Sequence, residues 1–158
     1  MRRLALALVA VLVAAAALSA CGGTTTSTGP STADYQKSFA PIDQRIKDIG
    51  NSVGDAVVNA KSKSTTELAT EFAGLSAQVR TVAADLAALD APDAIKAQQT
   101  ALTSALGDAA RSLRSISAAA TAADARAAKA ATVKLAAVDS PKIKQARLAI
   151  EKQLGAAS

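Results

Sequence analysis

Histidine is absent from this 158-residue chain, and its single cysteine and single methionine both fall within the first 21 residues. Without histidine, the Ser-His-Asp and Cys-His arrangements of nucleophilic enzymes cannot form. The Glu-x-x-His ligands of di-iron bundles and the usual axial ligands of a haem are also missing, because the only methionine is Met1. We therefore expect a protein that is not an enzyme, with no catalytic residue, no metal site and no cofactor.

Aromatic residues are nearly absent as well, since Tyr35, Phe39 and Phe72 are the whole set. Alanine, by contrast, is the commonest residue in the chain. Alanine has the highest helix propensity and loses no side-chain entropy when it is buried. This composition favours an all-α fold of closely packed helices.

The first 21 residues have the order of a secretory signal peptide. Two arginines follow Met1, residues 4–18 form an apolar run, and Leu-Ser-Ala-Cys closes the segment at residues 18–21. The apolar run is shorter than the roughly 20 residues that a membrane-spanning helix needs. The last four residues resemble the bacterial lipobox. That resemblance implies signal cleavage between Ala20 and Cys21 and a lipid on Cys21.

These observations predict a division of the chain into three parts. Residues 1–20 are the signal peptide, residues 21–32 are the lipidated cysteine and a flexible Gly, Ser and Thr tether, and residues 33–158 are a helical domain. The lipid would anchor the protein to the outer face of the cell membrane. The alternatives are an uncleaved membrane anchor, or an ordinary cleaved signal with an incidental cysteine.

Charge argues against nucleic acid as a partner. The formal net charge is +5, and it falls to +3 when Arg2 and Arg3 leave with the signal. So mild an excess is not the basic footprint of a nucleic-acid-binding protein. The predicted partners are instead the membrane, through the lipid anchor, and a protein of the cell envelope.

Downstream of the tether, apolar residues recur at alternating spacings of three and four, which predicts amphipathic helices. The first helix runs from Tyr35 to Ala60, and Pro41 predicts a kink or a short lead-in turn before the main helix. Ser64 and Glu67 have the order of a capping box and predict the start of a second helix. Its apolar seam is Leu68, Phe72, Leu75, Val79, Val82, Leu86 and Leu89.

Pro92 and Asp93 predict the start of a third helix. The seam of this helix is Ile95, Gln99, Leu102, Leu106, Ala109, Leu113 and Ile116. Gln99 either finds buried partners or reaches water near the end of the bundle, and we expect it to reach water.

Thr121 and Asp124 predict a cap for a fourth helix over residues 122 to about 138, whose apolar face is mostly alanine. Ser140 and Pro141 predict a further cap and a first-turn proline before a last segment, residues 142–154. The fourth helix is therefore kinked or split near Pro141.

Long amphipathic helices joined by short loops favour an all-α, antiparallel up-and-down bundle of three to four helices with coiled-coil-like packing. A resemblance to a known group of proteins rests on residues at the start of the first helix and around the junction of the second and third helices. They are Tyr35, Phe39, Pro41, Ile42, Leu86, Leu89, Pro92, Leu102 and Leu106. With these residues the chain resembles the Ala-rich helical lipoproteins of actinobacteria. The resemblance implies a location and a fold rather than an activity.

The last segment carries four cations, Lys142, Lys144, Arg147 and Lys152, against one acid, Glu151. These cations are candidates for contact with membrane headgroups or an acidic partner. The alternative is a solvated face that complements the helix dipole.

Glu67 and Glu71, one turn apart, could share a cation or act as an acid and base pair, but acidic residues near a helix N-terminus are expected on electrostatic grounds alone. The sequence favours a non-enzymatic, membrane-anchored bundle for protein interaction or envelope organisation. The alternative is a carrier that binds an apolar ligand between its helices. A cavity lined by Leu and Val opposite the alanine face of the fourth helix would support the carrier.

Overall fold

A computed structural model describes residues 29–156, and all regular structure in this range is helical, without any strand. The predicted all-α class is therefore confirmed. The helices are α1 (Thr32–Val58), α2 (Thr65–Ala87), α3 (Asp93–Thr121), α4 (Ala125–Lys134) and α5 (Ser140–Ala156). A 3-10 turn, Asn59–Ser62, follows α1, and a π turn, Leu135–Asp139, joins α4 to α5. None of these helices is both long and apolar enough to cross a membrane.

Helix α1 begins earlier than the proline suggests. The Ser31 side chain caps it by accepting a hydrogen bond of 3.1 Å from the backbone N–H of Asp34. Pro41 lies inside the helix, and helical structure starts nine residues before it. Since α1 is already helical from Thr32, no separate lead-in turn precedes Pro41.

Helix α2 starts with the predicted capping box. The Ser64 side chain accepts from the Glu67 N–H at 3.3 Å, and the Glu67 carboxylate accepts from the Ser64 N–H at 2.8 Å. Hydrogen bonds from the Ser64 hydroxyl and N–H hold the pKa of Glu67 below its usual value. This reciprocal pairing satisfies two backbone groups that a helix start otherwise leaves open.

The start of α4 differs in part from the prediction. Asp124 caps it, accepting from the Ala127 N–H at 2.9 Å, so that the helix begins at Ala125 rather than at residue 122. Thr121 is instead the last residue of α3. The prediction that Ser140 is an N-cap is wrong, because its hydroxyl donates backwards to the Leu135 carbonyl at 3.0 Å within a continuous helical path.

The core follows the predicted seams closely. Its large side chains come from all the long helices, and the fully buried ones include Tyr35, Leu86, Ile95, Leu102, Leu113 and Ile150. The Tyr35 ring stacks on Phe39 with centroids 5.8 Å apart. Burial raises the pKa of Tyr35 to about 12, since a phenolate would be poorly solvated there.

Gln99 is buried, so the expectation that it reaches water is wrong. Its side-chain amide donates to the carbonyl oxygens of Leu86 at 2.8 Å and Leu89 at 2.9 Å. These carbonyls lie at and just beyond the end of α2, where a helix leaves its last C=O groups without intrahelical donors. The Gln99 side chain, which belongs to α3, therefore supplies hydrogen-bond donors to carbonyl groups at the C-terminal end of α2.

Candidate functional site

The largest concave feature we identify among the described residues is a groove of about 640 Å³ at one end of the helices. It lies between the end of α1, the start of α2, the end of α3 and the whole length of α4, and we call it the α4 groove. Its large apolar side chains are Val57, Leu68, Phe72, Ile116 and Val133. A smaller groove of about 360 Å³ is lined by residues of α1, α2, α3 and α5.

Alanine explains why the α4 groove stays open. Helix α4 buries none of its own residues, although it packs along α3. The α4 side chains that face the groove include Ala125 and Ala128, and Ala119 and Ala120 of α3 lie beside them. Methyl groups are too short to fill the space opposite Leu68 and Phe72. Val133, the largest apolar residue of α4, is 55% exposed.

Both ends of α4 depart from ordinary helical geometry. Ala123, just before the helix, has a φ of 52°, a left-handed conformation that costs energy for a residue with a Cβ. The π turn Leu135–Asp139 follows the other end. π turns inside helices are often found at functional sites. Helix α4 therefore lies between two irregular segments, and it contacts the core through small, partly buried side chains such as Ala131.

A buried polar cluster holds the π turn, and we call Ser112, Lys134 and Asp139 the Asp139 cluster. Asp139 is 0% exposed, and its carboxylate accepts from the Ser112 hydroxyl at 2.6 Å. The Lys134 ammonium donates to the Ser112 oxygen at 2.9 Å and to both Asp139 oxygens at 3.2 and 3.3 Å. Each polar atom of the cluster thereby gains a partner.

The Asp139 cluster has the residue types of a Ser-Lys nucleophile but not its arrangement. Ser112 is only 3% exposed, and its hydroxyl proton points to Asp139. Lys134 donates to the serine rather than accepting from it, which is the opposite of what a general base does. None of the three residues lines either groove. The geometry of the cluster therefore favours a structural role.

The four predicted contact cations do not share one environment. Arg147 is 16% exposed and donates to Asp43 of α1 and, at 3.2 Å, to Glu151. Lys142 lies 3.7 Å from Asp108 of α3. Lys144 and Lys152 are exposed, and neither forms an ion pair with any residue in the range 29–156. Only these two lysines therefore remain unpaired for an external contact.

Asp43 is the acidic partner that holds Arg147. Its carboxylate also accepts from Lys47 at 2.7 Å, one turn further along α1. Burial by itself would raise the pKa of Asp43, but the hydrogen bonds from Arg147 and Lys47 outweigh burial and hold the pKa below 3.8. The pair joins α5 to α1 across 104 residues of sequence.

Glu67 and Glu71 do not converge on a common site. Glu67 is engaged in the capping box, whereas both oxygens of Glu71 accept from the Lys63 ammonium at 2.7 Å. Within residues 29–156, no group of three or more potential metal-ligating side chains lies close enough to hold a metal ion. Ala20 and Cys21, the predicted cleavage and lipidation residues, lie outside the described residues.

Sequence reasoning missed Ser112 and Asp139. Ser112 directly precedes the seam residue Leu113, and Asp139 stands between Val138 and the residues predicted to cap the last helix, so neither position breaks the apolar pattern. The sequence signal for a buried polar residue here is Asp139 itself, which is followed by Ser140 and Pro141 in a segment otherwise rich in alanine.

Comparisons with known protein families, with curated proteins and with solved structures find no match for this chain.

Proposed function

We propose that the chain is a non-enzymatic lipoprotein, anchored outside the cytoplasm by a lipid on Cys21, that carries an apolar ligand in the α4 groove. The observation that carries this proposal is the pairing of Leu68 and Phe72 with the alanine face of α4 across an open space of about 640 Å³. Pockets for small molecules commonly measure about 300–1,000 Å³ and are mostly apolar, with a few polar groups. The α4 groove matches that description in size and lining.

For the fold, we propose an antiparallel up-and-down bundle. Two hydrogen bonds between α2 and α3 support it: Ser76 donates to the Ala110 carbonyl at 2.8 Å, and Ser117 donates to the Ala69 carbonyl at 2.7 Å. Between the two bonds, the residue number rises by seven along α3 and falls by seven along α2, as antiparallel helices require. The π turn supports a kink between α4 and α5, since sharp bends in helices often occur at π turns.

The carrier proposal is tested by native mass spectrometry of the protein purified from its own host. We expect an extra mass that is lost on denaturation, together with a lipid mass that stays covalently attached at Cys21. Changing Ala128 to Phe would place a ring in the α4 groove and exclude about two methylenes of ligand, so the dissociation constant should rise about tenfold and the bound fraction should fall.

The matched control is Ala127→Phe, which adds the same ring on an exposed face of α4 outside the groove. It carries the same change in helix propensity and should leave the bound mass unchanged. If no releasable mass accompanies the wild-type protein, or if both variants lose it equally, the carrier proposal fails. A lipid mass absent from Cys21 would reject the anchor separately.

A second candidate, surface contact in the envelope, is favoured by one feature of α5. Lys144, Leu148 and Lys152 are spaced four residues apart and share one helix face, which we call the α5 stripe. Leu148 is 51% exposed, and the lysines beside it have no acidic partner among the described residues. A lysine near an anionic membrane surface contributes about 1 kcal/mol of binding. We propose that the α5 stripe contacts anionic headgroups of the membrane.

Lysine acetylation footprinting tests the α5 stripe. In nanodiscs of anionic lipid, we expect acetylation of Lys144 and Lys152 to be at least threefold slower than in neutral nanodiscs, since headgroups would cover the amines. Lys37, an exposed α1 lysine without an ion pair, serves as the internal control. Protection found only in intact envelopes would reject headgroups in favour of a protein partner, and equal acetylation everywhere would reject the stripe.

A further inference from the structure

We propose that the ligand of the α4 groove is a single-chain amphiphile with an anionic head group, of the chemical class of a fatty-acid carboxylate. This inference rests on the proposed carrier function and adds the class of ligand to it. Three features support it: the unpaired cations of the groove, its volume, and the small number of other polar side chains in its lining.

The α4 groove contains two lysines whose ammonium groups have no acidic partner in the part of the chain that the structure describes. Lys61 and Lys129 line the groove from opposite sides, in the 3-10 turn after α1 and in α4. Neither side-chain ammonium group forms a hydrogen bond or ion pair with any residue between 29 and 156. Their neighbours Lys63 and Lys134, which do not line the groove, are both paired with carboxylates. The groove therefore holds two cations that are free to bind an anion.

Other charged groups at the groove are already engaged. Asp124 is the one carboxylate in its lining, and it caps α4 by accepting from the Ala127 N–H. The starts of α2 and α4 also reach the groove, where the positive end of a helix dipole would attract an anion. At each of these starts a cap side chain accepts from one N–H group: Ser64 from that of Glu67, and Asp124 from that of Ala127. Among the charged side chains of the lining, the two lysines are thus the ones that remain for an anionic head.

Volume favours one hydrocarbon chain over two. A water-sized group occupies about 30 Å³ of liquid. A space of about 640 Å³ therefore holds roughly twenty such groups. That number fits one long chain and its head group, whereas a lipid with two long chains would need about twice the space.

A peptide is a poor occupant of the same space. A buried peptide backbone needs a donor or acceptor for each C=O and N–H group. Apart from the two lysines, the polar side chains that line the α4 groove are Thr65, Asp124 and Thr132, of which Asp124 caps α4 and Thr132 donates to the Ala128 carbonyl. A hydrocarbon chain requires no such partners.

The protein's own lipid anchor is also badly placed to fill the groove. Val57 lies 25 residues after the start of α1, so about 38 Å of helix separates the groove from Thr32. The eleven residues of the predicted tether have a root-mean-square span of about 15 to 20 Å. A separate amphiphile therefore fits better than the acyl chains on Cys21.

Photolabelling of the full chain in nanodiscs tests the head-group preference. The probes are a diazirine-bearing twelve-carbon carboxylate and the matching alcohol, and the labelled fraction of α2, α3 and α4 peptides is measured against probe concentration. For the carboxylate, K61Q/K129Q should raise the half-saturating concentration about tenfold, since each exposed ion pair contributes about threefold. For the alcohol, wild type and the double variant should coincide.

Lys37→Gln is the control, because it removes an exposed, unpaired lysine on α1 outside the groove in the same membrane. It should behave as wild type with both probes. If the double variant binds the carboxylate as wild type does, or loses the alcohol equally, the anionic preference is overturned while the carrier function stands. If neither probe labels the groove peptides in wild type, the carrier function itself fails.

Discussion

Replacing Asp139 with alanine should lower the free energy of unfolding by about 3 kcal/mol, the largest effect that we expect from a single substitution. The carboxylate is fully buried and is the acceptor for the Ser112 hydroxyl and the Lys134 ammonium. Removing it leaves the buried serine without its acceptor and opens a small cavity beside the π turn. Lys134 is 54% exposed and regains water, which limits the loss.

The Asp139→Asn substitution removes the negative charge but keeps a hydrogen-bond acceptor, so it separates the two contributions to stability. The amide oxygen can still accept from Ser112, so the expected loss is about 1.5 kcal/mol. Asp55→Ala is the control, because Asp55 is exposed on α1 without an ion pair, and its change should stay within about 0.5 kcal/mol. Urea denaturation followed by circular dichroism measures all three. An Asp139→Ala protein as stable as the Asp55→Ala protein would contradict the stabilising role of the cluster.

Changing Asp43 to Asn should lower the free energy of unfolding at neutral pH by about 2 kcal/mol. The substitution removes the charge that holds Arg147 of α5 and Lys47 of α1. Arg147 keeps its bond to Glu151, so its guanidinium is not left without a partner. The effect is therefore smaller than that of Asp139→Ala.

The same pair predicts a pH dependence. In the folded protein the pKa of Asp43 is below its ordinary value of 3.8, because the bonds from Arg147 and Lys47 outweigh the opposing effect of burial. The stability that the Asp43 carboxylate contributes to the fold is thus fully present above that ordinary pKa. It is lost as the pH falls through the lower pKa that Asp43 has in the folded protein. Between pH 7 and pH 2, wild type should lose more stability than Asp43→Asn.

Urea denaturation at a series of pH values measures this difference. Asp55→Asn is the matched control, since it removes a carboxylate of the same helix that forms no ion pair. It should show the same acid loss as wild type. If the free energies of unfolding of wild type and Asp43→Asn change in parallel with pH, the Asp43–Arg147 pair does not stabilise the fold in solution.

Several helix limits followed from the sequence because their causes are local. The capping box at Ser64 and Glu67 starts α2 as predicted, because both partners lie within one turn. Helix α3 also starts at Asp93, directly after Pro92, although Pro92 stands at the N-cap and no side chain caps this helix. Where a second local signal competed, as at Thr121 and Asp124, only the structure identified the residue that caps the helix.

Polar residues inside the fold were not predictable in this way. Gln99 was expected to reach water, yet it meets the carbonyls at the end of α2. Arg147 appeared in the sequence as one of four similar cations, and its partner Asp43 is 104 residues away. Whether a polar side chain is buried depends on what the opposite helix offers, which no periodicity within one helix encodes.

The all-α class, most of the core residues and the exclusion of histidine chemistry could be predicted from the sequence, because propensity, spacing and composition are properties of the chain alone. The groove that the alanine face of α4 leaves over Leu68 and Phe72, and the burial of Asp139 against Ser112, became visible only in the packed helices. These features arise between helices, where the volumes and charges of residues distant in sequence must match, and that matching exists only after the helices pack.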